Sequence, residues 1–200
     1  MSKRSIDTVP VATTPPGGWT QWPGPILEGC DEPLPDGAPD LEGFWRTVEV
    51  TVAGQVQHGH PALGHVQRIE QAGDRVVVTG GGIIHDMRCD ATLENGVHDV
   101  AEFDKTTPIH VVAAYEDGVH VLRPQGLDLG TGPIEVRRRR EGEHMIWDYL
   151  GFTARLRRLA PSISNPSDVL TALRPEGQSD SSRETARDCE RNTDQTESPS

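Results

Sequence analysis

His85, His98 and Glu102 are the residues whose types could carry acid–base chemistry in this chain, provided that the fold brings them into one apolar enclosure. Imidazole titrates near neutrality, and a carboxylate among apolar side chains has its pKa pushed up toward the same range. Such a set could run an isomerisation, a dehydration or a cyclisation without a cofactor, if the protein is an enzyme. The plainer reading gives each buried histidine one hydrogen bond and a purely positional role. Other spacings say less. His58-Gly59-His60 with His65 has the look of metal-ligand spacing, but no acidic residue completes the set and the segment is a Gly/Pro loop, so no metal is expected. Gly80-Gly81-Gly82 resembles the start of a dinucleotide fingerprint, yet Ile84 and Asp86 stand where glycines are needed and a strand follows instead of a helix. His98 and Asp99 are neighbours on an extended strand and point to opposite faces, which rules out a direct dyad. There is no G-x-S-x-G, P-loop or H-E-x-x-H, and no cofactor is predicted.

The elements that must position these groups are strands. Alternating apolar segments recur on either side of short turn pairs: Ala72-Gly73, Asn95-Gly96, Asp117-Gly118, Glu141-Gly142 and Leu150-Gly151. Asn-Gly and Asp-Gly favour a type I′ hairpin because both central residues need positive φ. With an opening strand over 43–52, the segments 65–70, 75–79, 87–93, 97–103, 109–115, 119–123, 134–139, 144–149 and 152–158 follow, and no helix interrupts them. The fold class is therefore all-β: a ten-stranded antiparallel up-and-down barrel over 41–159, since closure removes the edges that so large an open sheet would expose. A sandwich is the alternative, and the short turns favour the meander.

Leu41-Glu42-Gly43-Phe44-Trp45-Arg46 resembles the G-x-W opening strand of the calycins. With Val136 to Arg140 and the closing stretch Gly151 to Arg158, the chain resembles the ten-stranded fatty-acid-binding-protein and nitrobindin branch over 41–159. That resemblance implies a barrel around a small apolar ligand. It also implies an Arg-x-Tyr carboxylate clamp on the last strand, but those positions fall on Leu156 and Arg158, so a fatty acid is not the favoured ligand. Haem binding of the nitrobindin kind needs an axial histidine on a late strand, and the late histidine, His144, is expected to face outward.

Turn positions fix which side chains share a face. The Asn95-Gly96 turn sets Leu93 opposite His98, Ala91 opposite Val100 and Cys89 opposite Glu102, with Met87 and His85 on the same side. The Ala72-Gly73 turn sets Ile69 opposite Val76 and Gln67 opposite Val78, with His65 inward and Glu70 and Arg75 paired outside. Around the last two turns Ile134, Val136, Met145, Trp147, Tyr149, Phe152, Ala154 and Leu156 face in, and Arg137, Arg139, His144, Arg155 and Arg157 face out. The hairpin from Ile109 to Arg123 allows either facing, with Tyr115 and His120 inward preferred. The expected ligand-facing residues are His65, Gln67, His85, Met87, His98, Glu102, Tyr115, His120, Trp147 and Tyr149, with Arg138 and Arg158 as further interior polar points.

The flanks differ from the middle. Residues 1–40 are rich in Pro and Gly and 160–200 in Ser, Asp, Glu, Arg and Thr, so both read as flexible extensions, with a short helix possible over 167–174. Trp19 and Trp22 in the first arm are too apolar to leave in water and are expected to lie across the barrel wall or its mouth. A net charge of −12 argues against DNA or an anionic membrane as partner, and alternation divides the basic run Arg137 to Arg140 between two strand faces. Cys30, Cys89 and Cys189 are an odd set without paired spacing, which points to free thiols and a cytoplasmic protein. No stretch reaches the roughly 18 apolar residues of a membrane span.

Overall fold

A computed structural model of the chain describes residues 4–126 and 134–160. It has eleven strands: β1 Gly43–Val52, β2 Gln55–Val56, β3 Val66–Ala72, β4 Arg75–Gly80, β5 Ile83–Arg88, β6 Val97–Val100, β7 Pro108–Glu116, β8 Val119–Gln125, β9 Val136–Glu141, β10 His144–Tyr149 and β11 Phe152–Ala160. β2 pairs only with β1, and the other ten follow one antiparallel path, β5-β4-β3-β1-β11-β10-β9-β8-β7-β6. The two ends of that path meet along a seam. No ladder joins β5 to β6, but Arg88 N donates to Asn95 O at 2.8 Å, Ala91 N to Ala113 O at 2.9 Å, and a ring nitrogen of His85 lies 3.0 Å from Val100 O. The up-and-down barrel expected from the turns is the architecture observed.

The side-chain period of 2 explains how the strands bury themselves. Trp45, Val50, Ile69, Val76, Val78, Met87, Val97, Val111, Ala113, Leu122, Val136, Met145, Trp147, Ala154 and Leu156 form one interior cluster. Two hairpins run one residue later than the sequence predicts. The loops are Gly73-Asp74 and Gly142-Glu143, so Ile69 faces Val78, Gln67 faces Gly80, and His144 faces Glu141. A shift of this size moves each pairing by two residues and leaves every side chain on its expected face.

The Asn95-Gly96 hairpin is a correction. Val97 faces Val111 and His98 faces His110, so the expected pairings of Leu93, Ala91 and Cys89 with His98, Val100 and Glu102 do not form. Gly96 is needed for a different reason: a Cβ there would lie 1.9 Å from Val111 O, so only glycine lets the two backbones approach. The strand expected to pair across Asn95-Gly96 instead pairs with β4 through the turn Gly81-Gly82, with φ of +57° and +92°, which joins β4 to β5 in the twist a two-residue hairpin requires. The stretch that resembles a nucleotide fingerprint is this turn.

The arm runs along the outer wall of β3, β4 and β5, not over the mouth. Ile6, Val9 and Leu27 are buried with Ala72, Val77 and Ile84, and Trp22 packs edge-on against Phe44 at 5.6 Å. Charge holds the arm as well. Arg75, expected to pair with Glu70, instead takes both oxygens of Asp86 at 2.9 and 2.7 Å and donates to the carbonyls of Ile6, Val9 and Pro10. Arg68 pairs with Glu70 at 3.0 Å and donates to Pro23 O and Gly24 O, while Leu27 N donates to Glu70 Oε2 at 2.8 Å. The helix expected over 167–174 lies outside the described residues.

Candidate functional site

One end of the barrel is closed by its own side chains. Trp45 is fully buried there between the guanidinium groups of Arg140 and Arg158, 5.1 and 4.9 Å from its ring, and its indole N–H donates to Leu41 O at 2.7 Å. Gln71 ties the same end, donating to Tyr115 Oη at 2.8 Å and accepting from Leu41 N at 2.6 Å. The other end opens into a cavity of about 90 Å³. That is room for a few water molecules or one small organic molecule, not for a long acyl chain.

The aliphatic part of the cavity wall is mainly valine and isoleucine: Val78, Ile83, Val97, Ile109, Val111, Ile134 and Val136, with Leu122. Phe103, 68% exposed, and Leu150 stand at the mouth. His65 and Glu102 share the mouth, with Nε2 and Oε1 3.6 Å apart. Glu102 lies in the loop after β6 and not on the strand as expected, and it reaches across because Gly81 has no side chain: a Cβ there would be 2.3 Å from Oε1. Burial lowers the pKa of His65, partly offset by Glu102 and reinforced by Arg138, and burial raises that of Tyr149. His85 lines the cavity, but one ring nitrogen is spent on Val100 O, the tautomer that donates to a carbonyl, and its pKa is lowered by burial.

Of the ten residues expected to face a ligand, His65, Gln67, His85, Glu102, Trp147 and Tyr149 line the cavity. Met87, Tyr115 and His120 are interior but packed below it, in the closed half. His98 is a correction. It stands exposed on the outer face, its Nδ1 2.8 Å from His110 Nδ1 and its Nε2 2.7 Å from Leu93 O, because the Asn-Gly turn that would have aimed it inward is absent. The trio of His85, His98 and Glu102 is therefore not assembled. Arg158 sits at the closed end, hydrogen-bonded to Asp40 at 3.0 Å.

Arg138 is the inner residue that the sequence placed only at the margin of the site. It is 5% exposed, its Nε lies 3.2 Å from Gln67 Oε1, and its guanidinium lies 5.5 Å from the Trp147 ring centroid. Among the described residues no carboxylate comes within ion-pairing distance of it, and burial lowers its pKa to about 10, with Glu102 and Tyr149 opposing. Its Nη1 has no hydrogen-bond partner, nor do Gln67 Nε2 and Trp147 Nε1. The alternation of β9 points Arg138 inward between Arg137 and Arg139, which face solvent.

No protein family, curated protein or solved structure matches the chain. Its chemistry rests on its own side chains. Among the described residues no three His, Cys, Asp or Glu groups lie together as a metal would require. His144 faces outward beside Arg157, and Leu156 is part of the apolar core, so neither the axial histidine nor the clamp that the calycin resemblance implies is met by those residues.

Proposed function

We propose that this barrel binds a small, mostly apolar molecule in its open half. The observation that carries the reading is the cavity itself, apolar along its walls with a few polar groups converging on it, which is the usual form of a small-molecule site. The G-x-W opening strand and the ten-strand path support a calycin-like barrel of the fatty-acid-binding-protein and nitrobindin kind, with a ligand smaller than a fatty acid. The unpaired thiols Cys30 and Cys89 support a cytoplasmic location, and the acidic charge disfavours nucleic acid and anionic membrane as partners. Leu122→Trp fills the cavity from its wall. Isothermal titration with six- to eight-carbon alcohols and single-ring aromatics should give binding to the natural chain and none to a folded Leu122→Trp variant. Equal heats for both proteins, or none for the natural chain, would refute the reading.

A cofactor-independent acid–base enzyme is the second reading, favoured by the approach of His65 to Glu102 at the mouth. Those two residues take the roles expected of His85, His98 and Glu102. On this reading Glu102→Gln lowers turnover by about 10² to 10⁴-fold while binding persists.

A further inference from the structure

We propose that the ligand of this cavity is a small monocarboxylate whose head group is held by Arg138, Gln67 and Trp147. The inference rests on the small-molecule reading above and adds the chemistry of the ligand's polar end. Three N–H donors from three strands, Arg138 Nη1 on β9, Gln67 Nε2 on β3 and Trp147 Nε1 on β10, are buried and have no hydrogen-bond partner, and all three belong to side chains that line the cavity. Buried donors left unpaired each cost free energy, and a natural fold keeps few of them without a use. All three are donors, so the group that satisfies them together is an acceptor. One of them belongs to a cation with no ion-pair partner among the described residues, so the best acceptor is an anion.

The charge and size of that anion follow from what surrounds it. A single guanidinium balances a single negative charge. Glu102, which acts electrostatically on Arg138, stands at the mouth and opposes a second one. A phosphate dianion is thereby disfavoured against a carboxylate, whose planar pair of oxygens matches the guanidinium fork. The apolar walls call for a hydrocarbon body, and the cavity of about 90 Å³ keeps that body short. The acid enters head first, its carboxylate at the Trp147 indole N–H and its hydrocarbon toward Phe103 and the mouth.

The test compares acids with their alcohols on the full chain at pH 7. Hexanoate with hexan-1-ol and benzoate with benzyl alcohol are titrated calorimetrically against the natural protein and Arg138→Met. Each acid should bind at least about tenfold more tightly than its alcohol, the gain expected of a charge-assisted hydrogen bond in a buried site. Arg138→Met should remove that advantage, so that each acid binds no more tightly than its alcohol. A second readout needs no variant: the Trp147 indole N–H resonance, assigned by Trp147→Phe, should move downfield with hexanoate and stay put with hexan-1-ol. If no acid outbinds its alcohol, or the acids bind without moving the indole signal, the donors are satisfied by water and the head-group inference is overturned. In that outcome alcohols that still bind leave the cavity reading intact, whereas silence from all four compounds overturns both.

Discussion

Gly96 sits so close to Val111 that a single added methyl group would fall 1.9 Å from the carbonyl oxygen. Gly96→Ala should therefore push β6 off β7 and destabilise the fold by about 3 kcal/mol, read as a lower urea midpoint with little change in slope. A loss under 0.5 kcal/mol would show that the two backbones can separate freely. The same residue marks what the sequence hides. Asn-Gly encodes a turn by its tolerance of positive φ, but glycine is also required where two backbones meet, and one chain cannot distinguish the two uses. His98 lies on the outer face, not the expected inner one, for that reason. His65, Gln67, Trp147 and Tyr149 are legible because their facing depends on parity, which survives a shifted loop. Arg138 had the right parity too, but the unpaired state of its Nη1 is a three-dimensional fact that no spacing reports.

Strand by strand, four of the five expected hairpins form, two in register and two shifted by one residue, because each joins residues near in sequence. The arm was not readable in that way. Its anchors lie on the barrel: Arg75 and Arg68 bond to the arm's carbonyls, and Asp86 and Glu70 accept from Ala12 N and Leu27 N. Composition reports few aliphatics in 1–40 and says nothing of a wall elsewhere that offers charged groups to a bare backbone. Burial works on the Arg68 and Glu70 pair from both sides, lowering the pKa of the first and raising that of the second. Arg75→Met leaves Asp86 buried and unpaired as well as three carbonyls without donors. It should cost about 3 to 5 kcal/mol in chemical denaturation, and limited proteolysis should cut the arm first. An unchanged midpoint would mean that the aliphatic contacts hold the arm by themselves.

At the scale of the molecule, stability depends on histidines kept neutral. His120 is fully buried with neither ring nitrogen hydrogen-bonded, and burial with the nearby Arg138 charge lowers its pKa to about 3. His65 and His85 are lowered as well. In the unfolded chain each protonates near its ordinary value of about 6.5, so as the pH falls the unfolded state takes up protons first. Their contribution is fully present above about pH 6.5 and is lost progressively below it, by up to about 1.4 kcal/mol per pH unit for His120 alone. Urea midpoints should fall between pH 7 and pH 5, before most carboxylates titrate, and His120→Gln should flatten that slope. A midpoint constant over this range would mean that these rings are charged or solvated in the native state.

The course of the sheet has a consequence for how the molecule is made. β1, β3, β4 and β5 form one meander and β6 to β11 another, and among the described residues the only ladder between them pairs β1 with β11, the first strand with the last. During synthesis the seam at β5 and β6 can come together early, since a short loop spans it. The ladder that locks the two meanders cannot begin until Phe152–Ala160 has left the ribosome. Until then Trp45, which faces Arg158 across that ladder, has no second guanidinium to cover it.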